Sequence, residues 1–164
     1  MRSHCSCCSP RPCCCKRKEE EVGVISQFIV GTNNSPLPTL FQPATSPPTF
    51  LPLSTLNITL DEASDKVRFL ASISSETNNS TVLSNPLSGT LFRFQIVEVA
   101  TNRIVATYSN TDFDFATTTF TAVDQPGIGT FTYRLQAALV RAADATAEII
   151  LGVVFTAEEV EAVK

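Results

Sequence analysis

The chain predicts an all-β fold, an antiparallel jelly-roll-like β-sandwich of about eight strands with an extended N-terminal arm. Three observations predict it. From residue 55 onward, apolar residues recur at every second position in segment after segment, with polar turns between and no helical period. The composition suits strands: Trp is absent, Phe occurs 11 times, and charged residues are 17% of the chain, below the usual ~25%. All six cysteines lie in the first eighteen residues, so the rest of the chain must be held by apolar burial without sulfur.

The 164 residues divide into a Cys-rich connector arm, 1–21, and a sandwich domain, 22–164, which includes a Pro-rich segment at 36–52. With arm and Pro-rich segment set aside, roughly a hundred residues remain, enough for one sandwich core. Pro10 and Pro12 bias the arm towards extended geometry, and no apolar period lets it fold alone. Fully extended, the arm reaches about 70 Å at ~3.3 Å per residue, several times the ~14 Å radius of gyration of such a body.

In the body, Val22–Val30 reads as a first strand with Val22, Val24, Ser26, Phe28 and Val30 on one face; Asn33 to Pro36 end it. Six prolines exclude residues 36–52 from any central strand. Leu37, Leu40, Phe41, Phe50 and Leu51 make this segment apolar enough to lie over the sandwich or against another subunit. Leu56, Ile58 and Leu60 form a short strand, Asp61 to Asp65 a turn, and Val67, Phe69, Ala71 and Ile73 the next strand. A polar loop follows over 77–88. Phe92, Phe94 and Ile96 and then Ile104, Ala106 and Tyr108 make a hairpin about residues 100–103. A strand of unassigned register runs from Phe113 to Ala122. Gln125-Pro126-Gly127-Ile128 has the chemistry of a type II turn, with Gly where φ must be positive. Phe131, Tyr133, Leu135, Ala137 and Leu139 alternate in a long strand, and residues 142–145 turn the chain back. Ile149, Leu151, Val153 and Phe155 form the last strand, and apolar residues on both its faces mark it as central or at an interface. Beyond it, Thr156 and Glu159 have capping-box spacing, which leaves open a short terminal helix or a frayed end.

The net charge of −4 argues against nucleic-acid binding; Lys16, Arg17 and Lys18 run straight into Glu19, Glu20 and Glu21, a solvated dipolar hinge. Residues 2–21 lack the apolar core of a signal peptide, and no stretch approaches a membrane span, so synthesis in a reducing compartment is expected. No catalysis is expected: the sole histidine, His4, sits in the arm with nothing to orient it. Asp112 and Asp114, which together with Asp124 could be taken for a calcium site, are read instead as two carboxylates on the wet face of a half-buried strand. The triplets starting at Asn57, Asn78 and Asn79 match the glycosylation pattern but arise readily in Asn- and Thr-rich turns. No cofactor is expected.

Cys5, Cys7, Cys8, Cys13, Cys14 and Cys15 carry the functional choice. With His4 they could ligate zinc or copper(I), although C-x-C-C-x4-C-C-C is not the paired spacing of a zinc finger. Lipid attachment is a weaker alternative. The preferred reading is disulfides between subunits. Adjacent residues lie ~3.8 Å apart at Cα, closer than disulfide geometry favours, and the body offers no thiol. Non-covalent packing between subunits is assigned to Val22, Val24, Phe28, Val30, Leu40 and Phe41.

A cysteine-bearing connector, here CSCCSPRPCCC, ahead of a jelly-roll body without a signal peptide resembles the subunits of bacterial endospore appendages. The resemblance implies a structural, non-enzymatic homopolymer whose connectors bridge neighbours in a fibre. It further implies synthesis in the mother-cell cytoplasm, oxidation on lysis and a place on the spore surface, with a coat or exosporium protein as anchor. This body departs from the pattern in having no cysteine to receive a connector, so arms must bond arms or a different protein. The alternatives are a closed-oligomer jelly-roll binding or tip module anchored through its arm, and a metal-binding Cys-rich protein.

Overall fold

The computed structural model describes residues 24–41, 47–77, 90–112, 115–141 and 147–161. Every regular element among them is a strand: β1 (Val24–Val30), β2 (Thr32–Asn33), β3 (Thr39–Phe41), β4 (Leu51–Leu60), β5 (Lys66–Thr77), β6 (Thr90–Glu98), β7 (Arg103–Asp112), β8 (Phe115–Asp124), β9 (Gly129–Arg141) and β10 (Ala147–Glu161). They form two sheets. The first has the order β1-β10-β5-β8, with β3 also paired to β10; the second has the order β2-β4-β9-β6-β7.

All pairings are antiparallel and they nest. The β6–β7 hairpin is innermost, β5–β8 encloses it, then β4–β9, then β1–β10. Successive pairs alternate between the sheets, and the two-residue β2 pairs antiparallel with β4 at the border of the second sheet. This is the jelly-roll winding. The chain changes sheets at Gly31, whose N–H donates to the Phe155 carbonyl at 2.7 Å between β1 and β2. A Cβ there would meet Ser54 Oγ at 2.6 Å and two backbone oxygens at 3.1 and 3.2 Å, so only glycine passes without displacement.

Alternation puts one face of each long strand into a single core. Leu56, Ile58 and Leu60 of β4, Phe92, Phe94 and Ile96 of β6, and Tyr133, Leu135 and Leu139 of β9 face Val67, Phe69 and Ile73 of β5 and Phe155 of β10. Phe69 meets Tyr133 edge-on at 4.7 Å and stacks with Phe155 at 5.9 Å, joining the two sheets.

The expected strands are present, with differences that have local causes. Gly127 takes φ 96°, as the type II turn requires. The Pro-rich segment is more strand-like than expected at both ends. Thr39–Phe41 pairs with β10, and Leu51 and Pro52 open β4, with Pro52 at a register shift where a missing N–H disturbs the ladder least. The choice left open between a terminal helix and a frayed end resolves to neither as far as Glu161: these residues continue β10, because β1 and β5 both supply ladder partners there. In β1 a register shift between Ile25 and Gln27 breaks the expected single face. In β8, Thr118, Phe120 and Asp124 turn inward while Phe115 stays 65% exposed. The loop expected over 77–88, apart from Thr77, and the turn at 142–145 lie outside the described residues.

Candidate assembly surface

The arm leads into β1, which lies along β10 at the border of the first sheet. Phe28 stands opposite Glu158 and Val30 opposite Thr156, on the sheet's outer face; they are 57% and 64% exposed. Ile25, opposite Val160, shares that face and is half exposed. On β10, Val154 projects outward two residues before Thr156, and Leu70 of β5 flanks Thr156 from the other side. Phe28, Val30, Val154 and Leu70 thus surround Thr156, which is only 7% exposed although it points away from the core. These exposed side chains are brought to one outer face by strand register, unlike single exposed apolar residues, which are ordinary.

Polar groups border the patch. Arg68 and Glu158 form an ion pair, with Nε donating at 2.8 Å, beside a shallow hollow of about 190 Å³ lined by Leu70, Thr121 and Thr156. Towards β8 the face becomes a hydroxyl ladder, Ser72 with Thr119 at 3.0 Å and Ser74 with Thr117 at 3.3 Å. The second sheet's outer face is polar: Thr59 meets Thr130 at 2.9 Å, Thr132 donates to Asn57 at 2.7 Å, and Gln136 donates to Gln95 at 3.0 Å. The two outer faces therefore differ in chemistry.

The sandwich's two lateral borders also differ. On the β1–β4 side, the Gly31 crossover and a bond from Thr59 N–H to Gln27 Oε1 at 3.4 Å tie the sheets together. On the other side, β7 and β8 each pair on one flank among the described residues, leaving ladder groups that could accept another strand. Exposed Phe115 and Val123 on β8 and Ile104 on β7 lie along this border.

A partly buried ionic knot links the two strands of that border. Asp124 of β8, 9% exposed, accepts two hydrogen bonds from Arg103 of β7, at 3.0 and 2.6 Å, and one from Tyr133 Oη of β9 at 2.7 Å. Burial pushes the Asp124 carboxyl up. The Arg103 and Tyr133 hydrogen bonds, the Arg103 charge and a backbone bond from Gln125 outweigh it and hold the group below its ordinary range. Burial, then the hydrogen bond to Asp124, pushes the Tyr133 hydroxyl far above its ordinary range. Asn110 of β7 adds a second link, donating to Thr118 of β8 at 2.7 Å. The β6–β7 turn is ordered by Glu98, which accepts from the Thr101 hydroxyl and from the Ala100 and Thr101 amides, an arrangement that lowers its carboxyl.

The structure separates the residues assigned from sequence. Phe28 and Val30 are exposed together on the outer face. Val24 pairs with Glu161, where β1 lies along β10. Leu40 is a correction: at 1% exposure it belongs to the core and offers nothing to another subunit, because the short β3–β10 pairing draws it inward. Phe41 pairs with Ala147. Val22, His4 and the six cysteines lie outside the described residues. Sequence reasoning missed Ile25, Leu70 and Val154 as patch members. The available signal was the apolar residues on both faces of β10, which needed its sheet neighbours to become a surface.

No protein-family model and no curated protein matches the chain.

Proposed function

We propose that the protein is a non-enzymatic structural subunit that self-assembles into a surface fibre and is locked by disulfides between N-terminal arms. The observation that carries the reading is the apolar group of Phe28, Val30, Leu70 and Val154, the first two of which lie on β1, the strand into which the thiol-rich arm leads. Non-covalent contact and covalent lock then share one root. The patch of one copy packs on a different surface of the next, with the open β7–β8 border as the complementary region. Such a head-to-tail contact does not close and propagates a filament. Arms with a reach of about 70 Å then meet, and pairs of thiols form disulfides. Each bond releases two protons and two electrons to molecular oxygen or a small-molecule disulfide. The crosslinks confer kinetic resistance to heat and denaturant. Location on the endospore surface, with a coat or exosporium anchor, is supported by the resemblance in layout.

Electron microscopy of the purified full chain after air oxidation, paired with gels run with and without reductant, tests the reading. The expected result is filaments and a reductant-sensitive ladder. Solitary particles with every thiol still titratable would refute it, and a single discrete oligomer would replace it with a closed binding module.

A further inference from the structure

Two buried acids share one row on the inner face of the first sheet. Gln27 of β1, Glu159 of β10, Val67 of β5 and Asp124 of β8 stand side by side in register. Asp124 is neutralised by Arg103. Glu159, 5% exposed, accepts from Ser26 Oγ at 2.6 Å through Oε2, but its Oε1 is buried without a hydrogen-bond partner. Asp65, 0% exposed, closes the β4–β5 turn. Its Oδ2 accepts from the Glu62 amide at 3.1 Å, and its Oδ1 is also buried without a partner. With exposed Asp61 at the mouth, one carboxylate oxygen from each of the three residues lies within 4.8 Å of the others. Among the described residues, the ion pairs are Arg68–Glu158 and Arg103–Asp124, and none reaches this trio.

A buried carboxylate without a counter-charge is costly, and a second one beside it adds repulsion. Asp124 meets that cost with arginine, whereas Asp65 and Glu159 each keep a buried oxygen without a partner and stand within ligand distance of each other and of Asp61. We propose that Asp61, Asp65 and Glu159 form a calcium-binding site. An oxygen-only donor set selects a hard cation. Calcium's ligand distances of about 2.3–2.6 Å let oxygens up to 4.8 Å apart sit across one ion, whereas magnesium's ~2.0–2.1 Å would draw them together. Magnesium also gives up its water reluctantly, and two of these donors are buried. Exposed Asp61 leaves room for water to complete the shell. A site with three protein ligands belongs in the weak class, with Kd of roughly 10⁻⁴–10⁻³ M.

The ion would join the β4–β5 turn to β10 and, through Ser26 on Glu159, to β1. It would therefore fasten to the body the strand from which the cysteine arm departs. This assignment does not depend on the fibre reading, since binding is measured on reduced, unassembled protein.

The test uses the full chain under reducing conditions, treated with EDTA and exchanged into metal-free buffer. Calorimetric titration with CaCl2 and thermal unfolding in CaCl2, MgCl2 or EDTA supply the readouts. The arm thiols do not confuse the result, because soft sulfur ligands do not select calcium. Saturating calcium should raise Tm by about 5–10 °C, with a smaller rise in magnesium. Asp65→Asn and Glu159→Gln should abolish the calcium response. Asp61→Asn alters an exposed side chain, so folding is not at risk, and it should weaken calcium binding about tenfold. Equal Tm in calcium and EDTA with no binding heat at millimolar calcium would overturn the site, as would an Asp61→Asn protein that binds calcium as tightly as the parent.

Discussion

Arg103→Met probes the ionic knot that joins the two sheets across the open border. The substitution keeps most of the side chain's length and removes two hydrogen bonds, at 3.0 and 2.6 Å, from a carboxylate that is 9% exposed. Tyr133 alone then remains as a side-chain donor, at 2.7 Å. Breaking a fully buried pair costs about 3–5 kcal/mol, whereas an exposed pair contributes about 0–1 kcal/mol. The Arg103 side chain is 47% exposed and that of Asp124 8%, so the pair falls between these limits and water can partly replace the guanidinium. The expected loss is about 2 kcal/mol, or about 6–8 °C in Tm for a body of this size. The pH dependence carries the signature. The Asp124 carboxyl is depressed in the folded protein, so its contribution is fully present above the unfolded value of about 3.9 and is lost as pH falls through the folded value. Arg103→Met should raise the folded value and remove most of that acid-limb loss. Urea melts from pH 2.5 to 7, with Asp124→Asn and the double variant completing a cycle, isolate the coupling. A variant within about 0.5 kcal/mol of the parent at pH 7, with an unchanged acid limb, would refute this account of the border.

Other outcomes follow from the same physics. Tyr133→Phe should flatten the alkaline limb. The folded hydroxyl titrates well above the unfolded value of about 10, so the parent loses about 1.4 kcal/mol per pH unit above pH 10 from this group, and pH-dependent melts of the two proteins should diverge there. Gly31→Ala should cost about 1–3 kcal/mol in chemical denaturation, because the new methyl meets backbone oxygens at 3.1 and 3.2 Å that the crossover holds in place. Phe28→Glu with Val30→Glu should leave Tm within a few degrees, since both side chains are exposed, while abolishing filaments by electron microscopy. Replacing all six arm cysteines by serine should leave the body's Tm unchanged and remove the non-reducing ladder.

How much could be read in advance depended on the range of the interactions involved. Alternation in Val67–Ile73 and Phe131–Leu139 needs only the period of a strand, and the Pro126-Gly127 turn only local φ preferences; both are properties of adjacent residues. Leu40 looked identical to an exposed anchor because burial is set by β3's pairing partner, which lies more than a hundred residues away. The patch around Thr156 was hidden for the same reason: its members come from β1, β5 and β10 and share a face only through register. The bulge after Ile25 and the continuation of β10 through Glu159, where a helix cap was readable, are likewise choices made by neighbouring strands.

The amino-acid sequence by itself determined the sandwich class, the sulfur-free body, the thiol-dense arm and most strand positions. Tertiary structure decided the nested jelly-roll order, the Arg103–Asp124–Tyr133 knot, the gathering of Asp61, Asp65 and Glu159, and which apolar side chains face water. Strand formation follows from short-range periodicity, whereas charge pairing and surface composition depend on which distant strands lie side by side.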